Sequence, residues 1–299
     1  MPSFTSHDGT ELHYDLLGAD LDGPPIAVHA GGAARHPEYL GDLAGLDSVR
    51  PLALLHQRGV GRSQNPADPA TAAWHRLGED LEALRVHLGL ERLDVLGHSA
   101  GTRVALAFAA LHPARAGRLC LVTPPPGWLV DTPSDSAELI AARRGEPWFA
   151  EFEAALAEEA NATTMAQRRA LHPGLAPMTW ARWDARAQAH EQLGTWNLEA
   201  LEAFFAVPLE ADLLPVLRAL TSPVLVVAGG SDALLGLKPV LAVADLFPHG
   251  RAVVLDSGHY PWIEQPEAFL DEVGAFFTPD PITPTDRPRR RSHSRSPAH

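Results

Sequence analysis

A chain of 299 residues with 45% hydrophobic content has enough apolar material for a sizeable core, as one large domain or two small ones. Its 37 acidic side chains outnumber 24 basic ones, for a formal charge of -13, and so acidic a body argues against nucleic-acid binding as the principal function. No apolar run approaches the roughly 18 residues of a bilayer span, and MPSFTSHDGTELHYD lacks the basic start and apolar stretch of a secretory leader, so we expect a soluble, cytoplasmic protein that makes no use of a membrane.

In chain order, the first apolar runs are PPIAVHA (24–30) and RPLALLHQ (50–57). Leu77, Leu81, Leu84 and Leu88 follow at helical spacing in WHRLGEDLEALRVHLGL. RLDVLGH (92–98) then runs through a turn into the Ala- and Leu-rich AGTRVALAFAALH, and GRLCLVT (117–123) is the next apolar run. From about 126 to 215 no strand pattern is visible, only helix-forming stretches such as EPWFAEFEAALAEEA, with five of the seven Trp. Ninety residues are too many for a loop, so this interval is expected to fold as a helical cap. SPVLVVAGG (222–230) and GRAVVLD (250–256) resume the alternation, and EQPEAFLDEVGAFF (264–277) reads as a last amphipathic helix.

Runs apolar on both faces fit parallel strands covered by helices on either side. The expected fold class is therefore α/β, a mostly parallel central sheet flanked by helices, with an inserted helical cap. Its expected division is 1–125 for the first part of the core, 126–215 for the cap, 216–278 for the second part of the core, and 279–299 for a disordered tail. That tail carries five Arg against two Asp, leaving 35 acidic against 19 basic side chains in the remainder.

The turn Gly97-His98-Ser99-Ala100-Gly101 matches G-x-S-x-G, in which a strained strand-to-helix turn lifts a serine hydroxyl above the sheet. A serine needs a base to take its proton and an acid to orient that base, in the chain order Ser, Asp or Glu, His. Asp232 in VLVVAGGSDAL and His259 in VVLDSGHYPW follow late strands and meet that order. Asp232 also fits a turn or helix cap, and Asp256 is a competing acid that more readily closes its own turn. His98 is expected to support or line the pocket rather than act as the base. For the oxyanion, the backbone N–H of Ala100 is one expected donor and Gly31, in His29-Ala30-Gly31-Gly32, the other, with Ala30 close behind.

The lone cysteine, Cys120, has no internal disulfide partner and is expected to be a buried structural thiol. The fifteen histidines have no CxxC companion and no HExxH helix, so no metal and no cofactor are expected. The expected partner is a small-molecule or short-peptide substrate, and nothing in the sequence bears on oligomeric state.

The set HAGG, HQRGVGRS, GHSAG, GGSDAL and SGHYPWIEQPEAF, in this order over roughly residues 8–278, resembles the α/β-hydrolase superfamily. Within it the chain looks most like the prolyl iminopeptidase group, serine peptidases that release an N-terminal proline. The segment from His56 to Ser63 is similar to that group's DQRGxGxS. The resemblance implies an aminopeptidase whose cap holds the free amine on a carboxylate, here Asp184 of the Trp183-Asp184 pair, with Glu202 as a second candidate. The sequence departs from the group at HAGGAA for HGGP, at His56 for the leading Asp, and at GHSAG for GGSWG. These changes leave two further readings open: an esterase or other small-molecule hydrolase, and a binding protein that keeps the fold without turnover.

Overall fold

The computed structural model describes residues 2–207 and 213–278; the expected tail over 279–299 lies outside the described residues. Eight strands form one sheet: β1 (Ser3–Thr5), β2 (Glu11–Leu17), β3 (Ile26–His29), β4 (Leu52–Leu55), β5 (Leu93–His98), β6 (Ala116–Val122), β7 (Val224–Gly229) and β8 (Gly250–Leu255). Their order is β1-β2-β4-β3-β5-β6-β7-β8. From β4 to β8 the neighbours are parallel, and β2 pairs antiparallel with both β1 and β4. The six strands read from continuous apolar runs are β3 to β8. The first two were not expected, because their residues alternate: Leu12 and Tyr14 are buried while Glu11 is exposed, the pattern of an edge hairpin rather than a doubly covered strand.

Helices α1 (Gly78–His87) and α2 (Gly101–Leu111) cover one face. The cap lies between β6 and β7 and holds α3 (Ser136–Ala141), α4 (Phe149–Glu159), α5 (Met165–Leu175), α6 (Ala185–Glu191) and α7 (Leu198–Phe205); α8 (Leu213–Arg218) leads back to the sheet. The expected boundary at 215 falls within α8, whose Leu213 and Leu217 belong to the main core. Helices α9 (Leu237–Ala242), α10 (Pro261–Glu264) and α11 (Pro266–Phe277) complete the described residues.

Strand pleating sorts the core into two layers. Val224, Val226 and Ala228 pack with Val104 and Phe108 of α2 on one side, while Leu225 and Val227 pack with Phe269 and Val273 of α11 on the other. Phe149, Phe152, Met178 and Ala233 form a small separate cluster under the cap. Cys120 is fully buried in β6. Among the described residues, no helix is long and apolar enough to cross a membrane.

Candidate active site

Strand β5 ends at His98, and Ser99 follows with φ of 49°, in the left-handed region that costs an ordinary residue about 1–3 kcal/mol. The turn is held by the Ser99 amide, which donates to Val122 O at 2.9 Å. Thr102 donates twice to Ser99 O, from its amide at 2.9 Å and its hydroxyl at 2.6 Å. The flanking glycines are sterically required: a Cβ on Gly97 would lie 2.8 Å from Thr102 Cα, and one on Gly101 would strike the carbonyls of His29 and Ala30. The expected strand-turn-helix elbow is therefore present.

Asp232 follows β7 and His259 follows β8, and both are nearly inaccessible to solvent. His259 Nδ1 donates to Asp232 Oδ2 at 2.7 Å, and Asp232 Oδ1 accepts from the Leu234 amide at 3.1 Å. The backbone of His259 is clamped: its amide donates to Thr179 O at 2.6 Å, and its carbonyl accepts from His98 Nε2 at 3.0 Å and Thr123 Oγ1 at 3.3 Å. Glu264 steadies the same loop by accepting from the Gly258 amide at 2.6 Å. Burial raises the Glu264 carboxyl above its ordinary range despite those amide donors. His259 Nδ1 is bonded to Asp232 and not to Asp256, the competing acid, whose carbonyl accepts from the Gln265 amide group at 2.9 Å.

Ser99 and His259 both open onto one cavity of about 440 Å³. The sheet supplies the floor, and residues between Ser136 and Thr179 supply most of the wall. Ile140, Phe152, Leu175 and Met178 make it largely apolar, and Glu159, Arg168 and His172 give it a charged side. Among the described residues, no group of three or more His, Cys, Asp or Glu side chains is disposed to hold a metal ion.

Three expectations need correction. Asp184 does not reach this cavity: it caps α6, accepting from the amides of Arg186 at 2.9 Å and Ala187 at 3.0 Å, which satisfies first-turn donors a helix leaves unpaired. Glu202 is exposed on α7, because Leu201 and Phe204 claim the inward face of that helix. The Gly31 amide is engaged by the Tyr39 hydroxyl at 2.6 Å, and it is Gly32 that lines the cavity. Ala100 sits where expected, at the start of α2, where backbone donors have no intrahelical partner.

Sequence reasoning did not single out Tyr39, Thr123 or Thr179. Tyr39 stands in a short PEYL turn with no periodicity around it, and Thr123 and Thr179 act through bonds between segments far apart in the chain. The one local sign at Thr123 is conformational, a φ of 45°.

Ser99 after β5, Asp232 after β7 and His259 after β8 lie at one end of a mostly parallel sheet, the end at which wound α/β scaffolds bind ligands. The chain belongs to the alpha/beta hydrolase fold family, whose sequence model matches residues 24–266. It is 28% identical over 276 residues to RutD of Caulobacter sp. (strain K31), to which carbamate hydrolysis is ascribed, covering 89% of this chain and 96% of that protein. It is 27% identical over 289 residues to the proline iminopeptidase of Heyndrickxia coagulans, covering 91% and 97%. The solved structure of a thermophilic esterase from Thermogutta terrifontis superposes with a TM-score of 0.68 at 22% identity, over 92% and 97% of the two chains. That last likeness shows the shared fold.

Proposed function

We propose that this hydrolase is a serine hydrolase that cleaves small esters with an apolar acyl group through an acyl-enzyme. The reading is carried by the 2.7 Å bond from His259 Nδ1 to Asp232, with His259 facing the cavity that the elbow serine also lines. With Nδ1–H held by the carboxylate, Nε2 is left as the basic nitrogen. Ser99 Oγ attacks the carbonyl carbon, its proton passes to His259 Nε2, and the oxyanion receives the N–H groups of Ala100 and Gly32. The carbonyl re-forms as the ester C–O bond breaks, and His259 returns the proton to the leaving alcohol. Water, deprotonated by His259, then releases the acid. The apolar wall of Phe152, Leu175 and Met178 supports an acyl chain as occupant.

One observation favours a second reading, release of an N-terminal proline: Glu159 offers the cavity a carboxylate for an ammonium group, in place of Asp184 or Glu202. The test sets p-nitrophenyl butyrate beside proline p-nitroanilide, with Ser99→Ala as control. Turnover of the ester that Ser99→Ala abolishes, in a variant with wild-type melting behaviour, is the expected result. Wild-type activity in Ser99→Ala would overturn the mechanism. Turnover of the proline amide, with KM raised by Glu159→Gln, would establish the second reading.

A further inference from the structure

Beneath the elbow, three segments meet through two buried side chains that this mechanism does not use. His98 Nε2 lies 3.0 Å from His259 O, and because a carbonyl only accepts, that nitrogen carries the proton. The ring is buried and packed against His259 and Trp262. Burial, with the charges of His259, Arg35 and His190 nearby, pushes its pKa well below the ordinary value, so the ring is neutral. Its Nδ1 is then an acceptor, and the Tyr39 hydroxyl 2.7 Å away must donate to it. The Tyr39 oxygen in turn accepts from the Gly31 amide at 2.6 Å. Every donor and acceptor in this chain is assigned without choice. The Tyr39 ring is fixed as well, with the Arg35 guanidinium 4.2 Å above it and Tyr260 and Trp262 against its sides.

We propose that Tyr39 and His98 are positioning residues: a neutral hydrogen-bond bridge that fixes the Gly31–Gly32 loop relative to the loop carrying His259. The proposal rests on the serine-hydrolase reading for its kinetic consequence, since it places an oxyanion donor and the base at a set separation around Ser99. Misplacing either by about 1 Å costs on the order of a hundredfold in rate, while the apolar wall that binds the acyl group is untouched.

The experiment compares Tyr39→Phe, His98→Asn and His98→Gln in the full chain. Asn can keep an acceptor near the Nδ1 position, and Gln a donor near the Nε2 position, so the two His98 variants each break one half of the bridge. Two readouts are taken: kcat and KM on p-nitrophenyl butyrate, and backbone amide exchange by mass spectrometry over 30–33 and 257–260. We expect kcat to fall roughly ten- to a hundredfold with KM within about threefold, and Tyr39→Phe to speed exchange chiefly over 30–33, because it leaves the bond from His98 Nε2 to His259 O in place. His98→Gln should loosen chiefly 30–33, and His98→Asn chiefly 257–260. Unchanged exchange at 30–33 in Tyr39→Phe, or at 257–260 in His98→Asn, would overturn the bridge, whatever happens to kcat. The expected exchange pattern with unchanged kcat would overturn its role in turnover. A wild-type protein without Ser99-dependent turnover would instead overturn the reading of the reaction, and the bridge would still stand or fall by exchange.

Discussion

At Asp232 one carboxylate makes two kinds of contact: Oδ2 accepts from His259 Nδ1, and Oδ1 closes its own turn on the Leu234 amide. Asp232→Asn keeps the turn but presents an amide that can favour the wrong imidazole tautomer. We expect kcat to fall on the order of 10⁴-fold with the melting temperature nearly unchanged; a loss below tenfold would mean that another group orients His259. Glu191 illustrates a different use of a buried acid. Burial opposes its charge, but the bond from His172 at 3.0 Å, the charges of His172 and Arg35, and the Trp180 indole N–H at 2.8 Å outweigh it and hold the pKa at about 2. Because that lies below the ordinary 4.5, the ionised carboxylate stabilises the fold fully above 4.5, and the contribution is lost as pH falls toward 2. Glu191→Gln should thus melt below wild type at neutral pH, with the gap narrowing across that acid window. A gap that stays constant would show that the carboxylate's ionisation is not what stabilises the fold.

At the scale of elements, the wall of the cavity comes chiefly from α4, α5 and the turn after them. Met178 lines it, so Met178→Trp should fill acyl space and shift the preferred p-nitrophenyl ester from butyrate toward acetate. An unchanged chain-length profile would place the acyl group elsewhere. How far such elements could be read from sequence followed from how local their signals are. The runs from PPIAVHA to SPVLVVAGG announced β3 to β7 because a strand covered on both faces needs apolar residues at nearly every position; GRAVVLD announced β8 by the same apolar run, although β8 lies at the sheet edge and only Leu255 in it is buried. The elbow was legible for a similar reason: Gly97 and Gly101 answer to clashes within a few residues or with an adjacent strand end. Asp184 was not legible, since a carboxylate at the start of a helix looks the same whether it caps the helix or faces a ligand. The phase of α7, which turns Glu202 outward, depends on which side the core lies. Tyr39 and Thr179 could not be found because their partners lie in other segments of the chain.

Across the whole molecule, two buried arginines fasten the periphery to the sheet. Arg58, fully buried after β4, forms paired bonds to Asp80 of α1 at 2.6 and 2.8 Å and also binds Asp8, Ser6 and Thr10 around the β1–β2 hairpin. Arg50 reaches Pro24 O, Asp94 and, at 3.0 Å, Phe277 O at the end of α11. Arg58→Ala leaves Asp80 buried without its counter-charge and should lower stability by about 3–5 kcal/mol in denaturant titration. A loss under 1 kcal/mol would show that water replaces the guanidinium.

The division of labour around the cavity has a consequence for how such a protein can change its diet. Ser99, Asp232 and His259 stand on strand ends, while the wall between Ser136 and Met178 belongs to a single uninterrupted stretch of chain. Insertions, deletions or wholesale exchange within that stretch can rewrite which molecules are admitted while the reacting atoms stay where they are. The freedom stops one residue later, at Thr179, whose carbonyl holds the His259 amide. Lineages diverging in substrate should therefore vary freely up to 178 and keep the backbone path at 179, a seam that also marks where a graft can safely be cut.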